Sequence, residues 1–222
     1  MRLPHSSRRD RSAGFSAIEI LVVLALMGAT SGMLFFLLSS STGLATQSLE
    51  SARLKQKSAV ALTRIVSELR NASVGTYNPP LDPALPVFGS EMTALRVTDT
   101  DAGGPVLGSP IRIWTSIDPL EADDGIDNDD DGLIDEYELR MTVNEGLPNA
   151  RTILLARGVS ELAFGEQQNA LDDNGDGLAD ETGLTFRRIG RTLRVGLTLS
   201  QRLTSGQVVT DFREAFIETK ND

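Results

Sequence analysis

From Ile20 to Leu38 the chain reads ILVVLALMGATSGMLFFLL, 19 residues without a charge. That length matches the ~20 apolar residues a helix needs to cross the hydrocarbon core of a bilayer. Before it stand Arg2, Arg8, Arg9 and Arg11, with Asp10 the one acid among residues 1–14. Basic flanks stay on the cytoplasmic side of a span, so residues 1–14 are expected in the cytoplasm and everything beyond Leu38 outside it. A secretory signal peptide shares the basic start and apolar middle. Two features oppose it here. Small residues follow the run at Ser39, Ser40, Ser41, Gly43 and Ala45, but they mark no sharply placed cleavage pattern, and the helical pattern instead continues to about Val74. A carboxylate, Glu19, also stands at the start of the apolar stretch, where a charge is costly unless it has a partner.

The segment Gly14-Phe15-Ser16-Ala17-Ile18-Glu19-Ile20-Leu21-Val22 resembles the processing motif of type IV prepilins, in which a basic leader ends in glycine, phenylalanine follows, and glutamate is fifth in the mature chain. The resemblance implies that a prepilin peptidase cuts between Gly14 and Phe15 and that the new amino group of Phe15 is methylated. It implies equally that Glu19 pairs with the N-terminal amine of a neighbouring pilin or pseudopilin subunit, and that an inner-membrane assembly platform handles the chain. Two opposite charges in hydrocarbon stabilise each other far better than either is solvated alone, so such a pair can set the axial register of adjacent subunits. Without a neighbour, Glu19 is still a favourable first-turn acid, worth about 0.3–1 kcal/mol against the helix dipole.

Gly28 and Gly32, with Ala29, Thr30 and Ser31, form a small-residue patch of the G-x-x-x-G kind that lets helices approach in a membrane. Alternatively, glycine locally melts the helix, at ~1 kcal/mol relative to alanine. Past the apolar run, Leu54, Ala61, Leu62, Ile65, Leu69 and Ala72 recur at three- and four-residue spacing, and Arg53, Lys57, Arg64, Glu68 and Arg70 lie mostly on the other side. Asn71, Ser73, Gly75 and Asn78-Pro79-Pro80 end the helix. The expected organisation is a removable leader at 1–14, a transmembrane or filament-core helix at 15–42, an amphipathic half at 43–75, and a β-rich globular domain at 76–222.

In that domain strands are expected at 94–98, 111–117, 137–143, 151–156, 160–164, 184–188, 192–201 and 208–218, several of them alternating apolar with polar residues. The fold class is therefore α+β, a long N-terminal helix packed on an antiparallel sheet. The order Gly158-Val159-Ser160-Glu161-Leu162-Ala163-Phe164, an irregular excursion, then Leu193-Arg194-Val195-Gly196-Leu197-Thr198-Leu199 is similar to the C-terminal half of minor pilins and J-type minor pseudopilins. It favours a minor over a major subunit.

Charge and composition narrow the function. The formal charge is −10; without residues 1–14 the chain keeps 17 of its 21 basic and 30 of its 31 acidic side chains, a balance that repels nucleic-acid phosphates. Generic nucleic-acid binding is not expected. There is no cysteine, and the only histidine, His5, lies in the leader. A chain starting at Phe15 lacks the side chains most used for acid–base and nucleophilic work near neutral pH, so an enzyme is not expected.

Two acidic loops, at 123–138 and 172–183, carry a separate signal. In the first, Asp127, Asp129, Asp131 and Asp135 stand at positions 1, 3, 5 and 9 of a calcium loop, with Gly132 at 6, the Leu133 carbonyl at 7 and Glu138 at 12. The alternate spacing lets residues 1, 3 and 5 converge on one hard cation while glycine turns the chain. The second repeats the pattern with Asp172, Asn174, Asp176, Leu178 and Asp180; Gly183 occupies its position 12, so Glu181 must substitute or the site is weaker. Both resemble the D-x-D-x-D-G-x-x-D-E loops of extracellular calcium-binding repeats, which implies up to two Ca2+ ions. A solvated acidic turn is the plainer alternative. Without a cation the five aspartates within 127–135 repel one another, so calcium is expected to order the loops outside the cytoplasm.

Trp114, in an alternating strand, is expected to serve packing rather than a ligand platform. Arg187, Arg188, Arg191 and Arg194 are expected to balance nearby acids or to meet another subunit. The whole pattern points to a non-enzymatic minor subunit of a type IV pilus, held in the inner membrane by a single span with its C-terminal domain periplasmic. A minor pseudopilin of a type II secretion system and a calcium-dependent tip adhesin are the alternatives.

Overall fold

The computed structural model describes residues 16–78, 80, 89–101, 103–175, 177–189 and 191–218. The cleavage-site residues Gly14 and Phe15 and the expected ligand Asp176 lie outside them. Among the described residues one helix, α1 (Ala17–Arg70), is followed by a 3-10 turn at Val74–Thr76 and seven strands. The strands are β1 (Glu91–Asp101), β2 (Gly104–Ile117), β3 (Tyr137–Val143), β4 (Arg151–Val159), β5 (Leu184–Ile189), β6 (Thr192–Arg202) and β7 (Val208–Glu218). Two compact units divide between Thr46 and Gln47.

In the first unit the helix runs unbroken through Gly28 and Gly32, and every side chain from Ser16 to Thr46 is exposed. This is the helix long and apolar enough to cross a membrane.

In the second unit the remaining turns of α1 pack on an α+β core. Leu54, Ser58, Ala61, Leu62, Ile65, Glu68 and Leu69 are buried, the three- and four-residue spacing of one helix face. Each fully buried leucine or isoleucine in that stripe contributes up to about 1.5–3 kcal/mol by leaving water. Polar contacts anchor the same segment to the sheet. Ser58 Oγ bonds the Asp211 carboxylate and accepts from Arg213 Nε at 2.8 Å, joining the helix to β7. Glu68 takes Arg64 at 2.8 Å and Arg96 of β1 at 2.6 Å, and Glu50 accepts from the backbone and hydroxyl of Thr204.

All strand pairs are antiparallel, in the order β1-β2-β3-β4-β6-β5, with β7 on the other edge of β6. β4 meets β6 at one pair only, Val159 opposite Leu199, and a bridge between Gly89 and Phe186 brings the chain entering β1 against β5. The sheet is thus curled, consistent with the pilin-like arrangement. Its inner face carries Met92, Ile111, Ile113, Leu139, Met141, Phe186, Leu193, Val195, Leu197 and Leu199, all buried. Period-two alternation puts these on one side and Arg112, Trp114, Glu138 and Arg140 on the other.

Several expectations need correction, among them the short strands 94–98 and 111–117, which extend to Glu91–Asp101 and Gly104–Ile117 because the two strands pair beyond those bounds. The α-helix stops at Arg70 rather than near Val74. There Asn71 N and Ala72 N take three-residue bonds to Glu68 and Leu69, both 3.1 Å, and Ser73 N donates to Leu95 O, so the chain is drawn onto the edge of β1. Residues 160–164 form no strand; Leu162 makes a single bridge to Thr182, and Glu166 N closes a turn onto Ala163 O. Finally, β4 is longer than 151–156 because it runs through a bulge: Leu139 faces Ala156 and Tyr137 faces Val159, so Arg157 and Gly158 together oppose Glu138. Gly158 has φ +73°, and a Cβ there would collide with the Ser200 carbonyl, so only glycine fits.

Candidate functional site

At the start of α1, Ser16 Oγ accepts from Ile18 N at 3.3 Å and Glu19 Oε2 accepts from Ser16 N at 2.8 Å. This is a reciprocal capping box, which satisfies two amide donors that a helix N-terminus leaves unpaired. Glu19 thus has a local partner in the single chain, in keeping with the first-turn role open to it.

Both acidic loops sit at the same end of the sheet, the first joining β2 to β3 and the second β4 to β5. They are two copies of one structure, 45 residues apart. Asp135 accepts from Asp124 N and Gly125 N at 3.2 and 2.8 Å, and Asp180 accepts from Asn169 N and Ala170 N at 2.9 and 2.8 Å. Asp127 Oδ2 accepts from Gly132 N at 2.8 Å, as Asp172 Oδ2 does from Gly177 N at 2.8 Å. Glu121 receives Asp129 N at 3.1 Å as Glu166 receives Asn174 N at 3.0 Å, while the second amide differs between the copies, Asn128 N for Glu121 and Asp180 N for Glu166, both at 3.0 Å. The necks match as well: Asp118 N donates to Glu136 O at 3.0 Å, Ala163 N to Glu181 O at 2.7 Å. Positive φ recurs at the same steps, in Gly125 and Ala170, Asp130 and Gly175, Gly132 and Gly177, Asp135 and Asp180.

The repeat is written in the sequence. Residues 121–136, EADDGIDNDDDGLIDE, align without a gap on 166–181, EQQNALDDNGDGLADE. Comparing the loops outward from their D-x-[DN]-x-D-G centres adds the flanking glutamates Glu121, Glu136 and Glu166 to Glu181, already expected as the second loop's substitute ligand.

Of the expected ligands, Asp127, Asp129 and Asp131 come together, each offering a carboxylate oxygen within 4.8 Å of the others. A second group, Glu121, Asp129 and Glu136, meets the same limit and shares Asp129. Asp135 is bonded to the amides at the start of the loop, and Leu133 N donates to Asp131 Oδ1 at 2.9 Å. Glu138 stands apart from both groups: it is 1% exposed, bonded by Arg140 Nε at 2.8 Å and paired with Arg157 at 3.1 Å, the arginine that the β4 bulge delivers. In the second loop Asn174 Nδ2 donates to Glu181 Oε1 at 3.3 Å, and Leu178 and Glu181 are buried.

Charge is concentrated in the first loop. Burial, reinforced by Asp131, Glu121 and Asp129, pushes the Glu136 carboxyl up to about 7. The guanidinium of Arg202, from the end of β6, lies against Gly132. On the outer face, Arg112 stacks on Trp114 at 4.7 Å while Trp114 Nε1 donates to Thr142 at 3.3 Å, a packing role for the tryptophan. Arg194 of the basic cluster pairs with Glu214 at 2.8 Å.

No protein-family model matches the chain, and neither a curated protein nor a solved structure matches it.

Proposed function

We propose that this chain is a non-enzymatic minor subunit of a type IV pilus, anchored in the inner membrane by residues 20–38 and built into the filament through the same helix. The observation that carries this is the bare helix. From Ser16 to Thr46 every side chain is exposed, including Phe35 at 76% and Phe36 at 71%, an apolar surface that water does not tolerate and that lipid or neighbouring helices would cover. Prepilin peptidase would release residues 1–14 and leave Phe15 methylated. In the filament Glu19 would exchange its bond to Ser16 N for the amine of a neighbouring subunit, at the cost of one capping interaction. The C-terminal domain would lie in the periplasm until assembly, its acidic loops stiffened by Ca2+ held first by Asp127, Asp129 and Asp131.

Intact mass of the protein from its native membrane tests the proposal. A mass corresponding to a chain from Phe15 plus one methyl group is expected, and a Gly14→Val variant should stay at full length. An unprocessed wild-type N-terminus would reduce residues 20–38 to a plain anchor and overturn the filament role.

A further inference from the structure

We infer that the first acidic loop holds a divalent cation of the calcium class in an inner site formed by Glu121, Asp129 and Glu136, separate from the outer Asp127, Asp129 and Asp131 set and linked to it through Asp129. The inference rests on the loop being a cation site, but it assigns different ligands from those that calcium-loop spacing indicates. Glu138, the spacing's twelfth ligand, is replaced by Glu136, and Glu121 enters from upstream of the motif.

Proximity of three acids alone would not carry this. The further observation is that Glu136 is 5% exposed while its Oε2 is buried without a hydrogen-bond partner. A carboxylate so placed carries a desolvation cost of several kcal/mol unless something positive meets it. Among the described residues, the arginines bonded to a nearby glutamate, Arg140 and Arg157, are engaged by Glu138 instead. Glu121 is also buried, at 8% exposed, and its oxygens accept two loop amides, which fix the carboxylate in place and leave lone pairs for an ion. Asp127 Oδ1, in the outer set, is likewise buried without a partner. A hard cation with six to eight oxygen ligands suits such a crowd of carboxylates, and one shared aspartate bridging two ions is within its coordination habit. The second loop presents Glu166, Asn174 and Glu181 at the equivalent positions, with one carboxylate fewer, so its inner site should bind more weakly.

The test is calcium binding by the full-length protein in detergent, with CaCl2 as the sole probe, followed by equilibrium dialysis for stoichiometry and by thermal melting. Glu136→Gln and Asp131→Asn should each lose one equivalent of bound calcium, and the double variant two. Glu136→Gln should also melt higher than wild type without calcium, because one buried negative charge is gone, which separates lost binding from lost folding. Glu121→Gln is the second probe and should lose the same equivalent as Glu136→Gln. Should Glu136→Gln and Glu121→Gln keep wild-type stoichiometry and affinity within about twofold while Asp131→Asn loses an ion, the inner site is refuted and the outer one stands. Loss of a single common equivalent in all three variants and in the double variant would refute two separate sites. A wild-type protein binding no calcium at about 1 mM, the weak end for extracellular modules, would refute both.

Discussion

Replacing Ile65 by alanine removes three carbons from a side chain that is 0% exposed at the centre of the helix stripe facing the sheet. Large-to-small changes at such sites cost about 2–5 kcal/mol, from lost transfer energy plus the cavity left behind. Alanine returns roughly 0.5 kcal/mol through its higher helix propensity, for a net loss near 2–4 kcal/mol. Val60, 63% exposed on the same helix, supplies the control: Val60→Ala should stay within about 0.5 kcal/mol of the parent. The assay is urea unfolding of the fragment Gln47–Asp222, followed by fluorescence of Trp114, the only tryptophan, which sits on the sheet. Equal midpoints and slopes for the two variants would mean that Ile65 is not packed on the sheet, and the helix-on-sheet core would be wrong.

Glu138→Gln should destabilise the same fragment by roughly 2–4 kcal/mol, less than a fully buried pair because Arg157 is half exposed, and by the same amount with or without calcium; a loss seen only with calcium would restore Glu138 as a ligand. Gly158→Ala should cost about 2 kcal/mol or more in the same urea assay, since φ +73° and the Ser200 carbonyl both exclude a Cβ; a neutral result would rule out the bulge. Burial holds the Tyr77 phenol up at about 12, and burial with nearby Asp123, Glu161 and Asp135 raises Tyr137. An unfolded tyrosine ionises near ~10, so the unfolded chain loses its protons first, and the stability present below that pH should fall as pH rises toward 12. Phenolate absorbance should therefore appear above ~10 together with unfolding. Ordinary titration of both tyrosines in the folded chain would contradict their burial.

The amphipathic half of the helix and all seven strands were legible, because their periods, 3.6 and 2, are direct consequences of which face is buried. The segment 160–164 misled because a short run ending in Leu162-Ala163-Phe164 lies where the second acidic loop begins, and its backbone bonds join it to Glu181, Gly183 and Thr198 rather than to a ladder. For the acidic loops, ligand spacing located Asp127, Asp129 and Asp131, and the gapless repeat of 121–136 at 166–181 already contained the flanking glutamates.

What the sequence determined by itself is therefore local: an uncharged 19-residue run suited to a membrane, a stripe of apolar residues beyond it, alternating strands, and two loops rich in aspartate. Tertiary structure alone decided which glutamate goes where. Glu136 and Glu138 are two residues apart, yet Glu136 ends the loop with a buried oxygen lacking a partner, and Glu138 lies within β3 on the face where Arg140 follows it and the β4 bulge brings Arg157. That division depends on strand register and on a bulge made by a residue 20 positions away, Gly158, and pairing between distant strands is not encoded in the spacing of the acids themselves.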